Sequence, residues 1–419
     1  MISIRHHFAG RMRFATAVSA LALLSLTSAG ANADQHEKID TLQLKVNKLQ
    51  QELQQLKEQV AESEAEAPVD DRVLGPREMQ SGMDQVRLTL SGQVNRGILV
   101  TDDGDDTDVF FVDNDNSSTR IRLLGDARFN DDVSVGSVIE VQLESNSTAD
   151  VSQDDQRNVG ANNFTERKLE VFADSKTYGR LWLGQGDTAS NGTSEVDLSG
   201  TGVIGYSGIA DLAGGIQFQE DGALSGVTIG DTFSNLDGLS RDDRLRYDTP
   251  VYSGAKLSAS AIADDRWDIA LRYARELFGA HEFETAIAYA DVDDDFDQVS
   301  ASASLLLGDT LPGASITLAT GNRDFDAGGR NDAQFFYGKL GYQFAPFGIG
   351  DTAVAVDYYD GEDIAVDGDE STSIGLVAVQ NVDRIGTELY AGLRNYELDR
   401  GGADFDDVTG LLVGARLKF

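Results

Sequence analysis

From residue 86 to the C-terminal Phe419, apolar and polar residues alternate one by one, and Gly, Asp, Asn and Pro interrupt the alternation at intervals. Val86-Arg87-Leu88-Thr89-Leu90-Ser91-Gly92-Gln93-Val94 sets the pattern. A repeat of two residues puts successive side chains on opposite faces, so each segment reads as a strand with one apolar and one polar face. The pattern predicts sixteen strands: 86–100, 118–130, 133–145, 166–176, 179–188, 243–251, 256–264, 266–276, 281–292, 298–309, 314–324, 333–346, 351–362, 372–383, 387–399 and 407–419. Each is long enough to cross a bilayer as a tilted strand, which takes about 9–11 residues.

The connections alternate in length. Asn130–Asp132, Lys176–Gly179, Tyr252–Gly254, Leu277–Ala280, Leu311–Gly313, Phe347–Gly350 and Asp383–Gly386 are tight, whereas 101–117, 146–165, 363–371 and 400–406 are longer and acidic. Pro250, Pro312 and Pro346 fall on the tight-turn side, where a missing N–H breaks no central ladder. Short turns opposite long loops are the signature of an outer-membrane barrel, and an even strand number returns both chain ends to the periplasmic side. A soluble sandwich of sixteen such strands would be unusually large, and no fixed sequence period points to a solenoid. Hydrocarbon tolerates no open sheet edge, so a membrane sheet has to close.

Before residue 86 the pattern is different. Ile39, Leu42, Val46, Leu49, Leu53, Leu56 and Val60 recur at alternating steps of three and four, the seam of a parallel coiled coil over 34–60. β-branched residues at one seam position and Leu at the other lean towards two strands. Residues 61–85, with Pro68 and Pro76, read as a linker. Residues 1–33 read as a cleaved secretory signal: Arg5, Arg11 and Arg13 precede an apolar run from Phe14 to Leu26, and Ala31-Asn32-Ala33 has the small-x-small form of a cleavage site. The predicted fold is therefore an all-β transmembrane, 16-stranded antiparallel β-barrel (86–419) preceded by an α-helical coiled coil in the periplasm.

Charge and composition narrow the function. The formal net charge is −37, and loss of the signal removes three arginines and no acid. A chain this acidic lacks the basic footprint that nucleic acid requires. Cysteine is absent, and only His36 and His281 follow the signal, so disulfides have no material and His-based catalysis or His-rich metal sites almost none. No nucleophile–base motif marks an enzyme. The acidic runs Asp102, Asp103, Asp105, Asp106, Asp108 and Asp291, Asp293, Asp294, Asp295, Asp297 are oxygen-rich enough to attract Ca²⁺ and to meet lipopolysaccharide through divalent cations. They lack a full EF-hand pattern, and composition favours plain solvated loops.

The barrel segment resembles the Gram-negative porin superfamily. The resemblance rests on Leu88-Thr89-Leu90-Ser91-Gly92-Gln93-Val94, Ser118-Thr119-Arg120, Gly179-Arg180-Leu181-Trp182-Leu183-Gly184-Gln185, Arg244-Leu245-Arg246-Tyr247-Asp248-Thr249-Pro250 and the terminal Phe419. The coiled-coil extension makes the chain look like the DcaP-like group within it. The resemblance implies a homotrimer of water-filled channels for small hydrophilic solutes, with the third external loop folded inward. It also implies that Phe419 is the signal read by the outer-membrane assembly machinery. Here the third loop, 188–242, is long, and Gly215–Gly230 has room for an extra hairpin.

Alternation then assigns faces. Arg120, Arg122 and Arg128 oppose Ile121, Leu123, Ala127 and Phe129; Arg244 and Arg246 oppose Leu245 and Tyr247; Arg416 opposes Leu411, Val413 and Leu417. A charge facing lipid at mid-depth costs about 2–4 kcal/mol, so these arginines, with Arg180, Arg272 and Arg394, are expected to line the lumen. Glu195, Asp197 and Asp211 of the third loop are the expected counter-charges, and the pair of signs would set a transverse field across the constriction. Alternative readings are a channel selective for small organic anions, or a structural protein that tethers the envelope by binding peptidoglycan or a periplasmic protein through its coil.

Overall fold

The computed structural model describes residues 77–80 and 86–419, apart from 161, 162, 310 and 327. The expected signal (1–33) and coiled coil (34–60) lie outside the described residues, as does the linker except for Arg77–Gln80.

Twenty strands are described: β1 (Arg77–Gln80), β2 (Arg87–Asp102), β3 (Thr107–Asp113), β4 (Arg120–Arg128), β5 (Val133–Leu143), β6 (Phe164–Ser175), β7 (Gly179–Asp187), β8 (Gln217–Glu220), β9 (Ala223–Thr228) and β10 (Arg241–Asp248). The series continues with β11 (Ala255–Ile262), β12 (Trp267–Leu277), β13 (His281–Val292), β14 (Phe296–Leu306), β15 (Ala314–Phe325), β16 (Ala333–Phe347), β17 (Gly350–Glu362), β18 (Asp369–Val382), β19 (Thr387–Arg400) and β20 (Val408–Lys418). Their pairings are antiparallel, and β2 pairs with β20 from Gln93↔Lys418 to Asp102↔Thr409, which closes the barrel. Sixteen wall positions result, as the alternation predicts. Hydrogen bonds between Gly92 and Phe419 continue the seam (2.8 and 3.0 Å), and a Cβ on Gly92 would lie 2.7 Å from the Phe419 ring. Beyond Phe419, β1 pairs with β2 from Arg77↔Leu90 to Gln80↔Arg87.

The second wall position departs from the expected strand at 118–130. β3 pairs with β2 from Asp102↔Thr107 to Arg96↔Asp113, and β4 pairs with it from Gln93↔Arg120 to Arg87↔Asp126. Much of the expected loop 101–117 is thus strand. Its Val109-Phe110-Phe111-Val112 core is apolar on both faces, because Phe110 and Val112 pack inside while Val109 and Phe111 face outward. The short connection at Asp264-Asp265 is a hairpin turn with both aspartates left-handed (φ 61° and 58°), a conformation Asp tolerates better than most residues. Pro346 falls where the β16–β17 register shifts, between Phe344 and Phe347.

The third connection runs from Thr188 to Ser240 and does not interrupt the wall, since β7 pairs directly with β10. Instead it packs inside. Its Val203, Ile204, Ile209, Leu212, Ile216, Ile229 and Phe233 form one buried cluster with inward-facing Leu99, Phe335, Tyr359, Val377, Tyr396 and Leu412. The β8–β9 hairpin forms within 215–230, where room for one was noted.

Candidate functional site

The inner wall divides into two arcs. From β13 to β20 the inward residues are mostly small or aromatic: Ala286, Ala288, Ser300, Ser302, Ser304, Ala319, Ala353, Ser371 and Ser373 are buried. The third loop lies along this arc. Thr193 Oγ1 meets Ser300 Oγ at 2.7 Å, Val196 N donates to Ser302 Oγ at 3.0 Å, and Leu198 N donates to Ser304 Oγ at 2.9 Å. These serines occur at every second position of β14, so one face of a strand satisfies an irregular segment that has no ladder of its own. Closer still, a Cβ on wall residue Gly341 would lie 2.9 Å from the Ser199 Cβ. Lys339 fastens the loop: its Nζ meets Asp197 Oδ2 and donates to Gly205 O, both at 2.7 Å, with the side chains 0% and 5% exposed.

The other arc, β4 to β12, turns charge inward. Glu140 is shared by three guanidiniums: Arg122 Nε at 2.5 Å, Arg167 Nε at 3.0 Å and Arg120 Nη1 at 3.8 Å. Arg167 reaches this group because the β5–β6 register passes from Glu140↔Lys168 to Val141↔Glu166. A bulge of this kind re-aims a side chain. Lys168 also faces inward and pairs with Asp187, which Arg241 approaches at 3.8 Å. Arg244 pairs with Glu170. At the closing seam, on the far edge of the first arc, Arg416 of β20 pairs with Glu388 of β19 at 2.5 Å while donating to Ser117 Oγ at 2.6 Å.

The remaining predicted residues are spread out. Arg246 pairs with Asp248, and Arg272 donates to the loop carbonyls of Ala189 and Asn191. Arg180 pairs with Asp174 and stands 5.0 Å from the ring centroids of Phe172 and Trp182. Arg128 is exposed at the end of β4. Arg394 is buried behind the loop, where it donates to Asp357 at 2.6 Å. None of Glu195, Asp197 and Asp211 forms an ion pair with a wall arginine among the described residues; Asp197 pairs with Lys339.

Glu195 and Asp211 instead share the loop interior with Asp237. Asn235 Nδ2 donates to Glu195, the Tyr206 hydroxyl donates to Asp211, and Gly192 N and Ser194 N donate to Asp237. Burial, reinforced by Asp237 and Asp211, pushes Glu195 up to about 8. Burial and the charge of Asp115 push Asp211 up to about 8. Burial would raise Asp197 too, but the Lys339 ammonium holds it below the usual carboxylate range. A cavity of 290 Å³ opens beside this group, lined by Ile209, Asp211, Phe233 and Asn235 among others. In the external loops Asp103 accepts from Asp105 N and Asp106 N and from the Gln153 and Gln219 amides, which clasps three loops together.

Glu140, Glu170, Lys168, Lys256 and Lys339 occupy the same alternation class as the predicted arginines, so the face rule extends to them. Arg167 was beyond that rule, because an insertion in register is invisible to strict alternation. Asp237 carried no signal, since only the path of the loop brings it to Glu195.

The sequence profile of the Gram-negative porins matches residues 17–401. No curated protein sequence matches the chain. Among solved structures, the chain is similar to an anion-selective porin from Comamonas acidovorans (18% identity, TM-score 0.55, 80% of this chain and 100% of that one). It is also similar to OmpT, an outer membrane protein of Vibrio cholerae (12%, 0.53, 82% and 100%), and to the outer membrane channel DcaP of Acinetobacter baumannii (12%, 0.50, 81% and 99%). A closed sixteen-stranded wall, an inward third loop and a charged inner arc accompany a profile match over most of the chain, and the protein belongs to the Gram-negative porin family of outer-membrane channels.

Proposed function

We propose that this channel passes small hydrophilic solutes by diffusion and prefers anions. The observation that carries the reading is Glu140, one carboxylate set among Arg120, Arg122 and Arg167. Cations exceed acids at that point of the inner arc although the chain as a whole is strongly acidic. Charge lining a narrow, low-dielectric passage raises the local concentration of its counter-ion, whereas loop acids in bulk water are screened. At 18% identity the Comamonas acidovorans structure speaks for the fold, and its anion selectivity is compatible with this reading.

Two variants of opposite sign test it in planar bilayers held across a KCl gradient. Arg120→Gln with Arg122→Gln and Arg167→Gln should move the reversal potential towards cation preference. Glu140→Gln should move it further towards anions. Equal potentials in all three proteins would overturn the placement of selectivity at this group.

We further infer a homotrimer, supported by the OmpT solved in a trimer form (13% identity, TM-score 0.52). The heptad seam at 34–60 then serves as a clamp among subunits or as a link to peptidoglycan or a periplasmic partner. Deleting 34–60 separates these roles: loss of trimers on native gels marks a clamp, and a loosened envelope with intact trimers marks a tether.

A further inference from the structure

Lys256 on β11 stands directly opposite Arg272 on β12. Both turn into the lumen, since their neighbours Leu257 and Leu271 face outward at 43% and 46% exposure. Like charges placed directly across a strand pair destabilise it, so the juxtaposition calls for a compensating group.

The protein supplies it only in part: Asp248 on β10 attracts both cations and hydrogen-bonds neither. Arg272 Nη1 and Nη2 donate to Ala189 O at 2.8 Å and Asn191 O at 2.6 Å, neutral acceptors that leave its charge standing. Lys256 makes no hydrogen bond or ion pair among the described residues. The carboxylates of the surrounding rows are engaged elsewhere. Asp248 accepts from Arg246 Nε and Trp182 Nε1, both at 2.9 Å, and Asp174 holds Arg180 at 2.8 Å. Asp268 accepts from Ala189 N, Ser190 N and Ser190 Oγ. It also sits four residues from Arg272 along β12, about 13 Å at the rise of a strand.

The position along the channel is equally defined. Ala189 N meets Ser260 Oγ at 2.7 Å, and Lys256 lies four residues from Ser260 towards the tight turn after β10. The pair therefore sits between the root of the third loop and the periplasmic mouth. Arg272 is pinned to the loop, and Lys256 is the unengaged arm beside it.

We propose that Lys256 and Arg272 form a binding subsite for small oxyanions, the carboxylate or phosphate group of a permeating solute, just past the third loop. The inference rests on the anion-channel reading and deepens it, from a preference for negative charge to a place where an oxyanion halts. A carboxylate or phosphate oxygen accepts a charge-assisted hydrogen bond from the Lys256 ammonium while the Arg272 charge lowers its energy further. Chloride gains less, having no pair of oxygens to share between two cations.

The test uses the full-length protein in planar bilayers, with KCl as the carrier salt and succinate or inorganic phosphate added from the periplasmic side. Single-channel current should fall saturably with probe concentration. Lys256→Gln should raise the half-blocking concentration about tenfold, and Lys256→Arg should return it towards the wild-type value. Block by succinate alone or by phosphate alone supports the subsite and says which group it takes. Non-saturating loss of current with both probes, or the same half-blocking concentration in Lys256→Gln, overturns it. The reversal potential in probe-free KCl is read in the same membranes. An anion-signed potential without block removes the subsite and leaves the channel reading intact, whereas a cation-signed potential removes the channel reading itself.

Discussion

The wall from β13 to β20 and the wall from β4 to β12 show the lipid the same kind of surface and differ in what they turn inward. On both, outward residues are Leu, Ile, Val, Phe and Tyr, for example Ile316 and Leu376 on one arc and Leu183 and Leu245 on the other. Inside, the first arc offers Ala, Ser and aromatic rings, and a 53-residue loop beds down on it as a second hydrophobic layer. The second arc offers Arg, Lys and Glu, paired with one another. One barrel thus has a half-filled interior, because a loop backbone packs closely along an arc of small side chains and meets the charged arc at its root, where Arg246 and Arg272 donate to its carbonyls. The size and charge of every second residue set the two arcs apart: one holds the loop, and the other carries the charges to which the proposed selectivity is assigned.

The largest expected effect comes from breaking the covered arc at its fastening. Lys339→Met strands a buried Asp197 carboxylate and should cost about 3–5 kcal/mol, the usual penalty for removing one partner of a buried ion pair. The temperature at which the folded band is lost on unheated gels should fall, and single-channel conductance should rise as the loop lifts. Adding Asp197→Asn should recover part of both. A normal transition temperature in Lys339→Met would place the holding force elsewhere, in the apolar layer around Phe233.

A smaller effect should follow pH, again on the covered arc. Glu195 and Asp211 have folded values of about 8, above the ordinary carboxylate range near 4. The folded state therefore holds protons that the unfolded chain has released, so stability falls as pH rises between about 4 and 8. Their protonated forms fit an interior already occupied by Asp237, and charging them sets carboxylates against one another beside the 290 Å³ cavity. Current noise should grow between pH 6 and pH 9, and Glu195→Gln should flatten that dependence. Noise that rises equally in Glu195→Gln would assign the titration to another group.

The smallest effect sharpens the contrast from the other side. Arg128 shares the strand face of Arg120 and Arg122 but ends β4 in the open, with no ion pair or hydrogen bond among the described residues. Arg128→Gln should leave the reversal potential and the transition temperature unchanged. A shift as large as that of the Arg120, Arg122 and Arg167 variant would mean that selectivity follows total lumen charge rather than the Glu140 group.

Much of the barrel was legible in the sequence and much of its interior was not. Local patterning predicted sixteen strands, and most boundaries agree within two or three residues; 281–292 agrees at both ends. The segment Thr107–Asp113 was hidden because its acidic flanks resemble a loop while Phe110 and Val112 are buried by a distant part of the chain. The inward orientation of Arg244, Arg246 and Arg416 follows from alternation alone. The partners of the loop acids do not, since Asp197 meets Lys339 across 142 residues and Glu195 meets Asn235 across 40.

What the sequence determined by itself is most of the wall: its strand number, its closure and the faces of the strands that keep a strict alternation. Those follow from a two-residue period and from a solvent that punishes charge and open edges, and both conditions act locally. What only the tertiary structure decided is the content of the lumen. The path of residues 188–240, the bulge that turns Arg167 inward, and the burial that raises Glu195 and Asp211 depend on contacts between residues far apart in the chain, where strand periodicity carries no information.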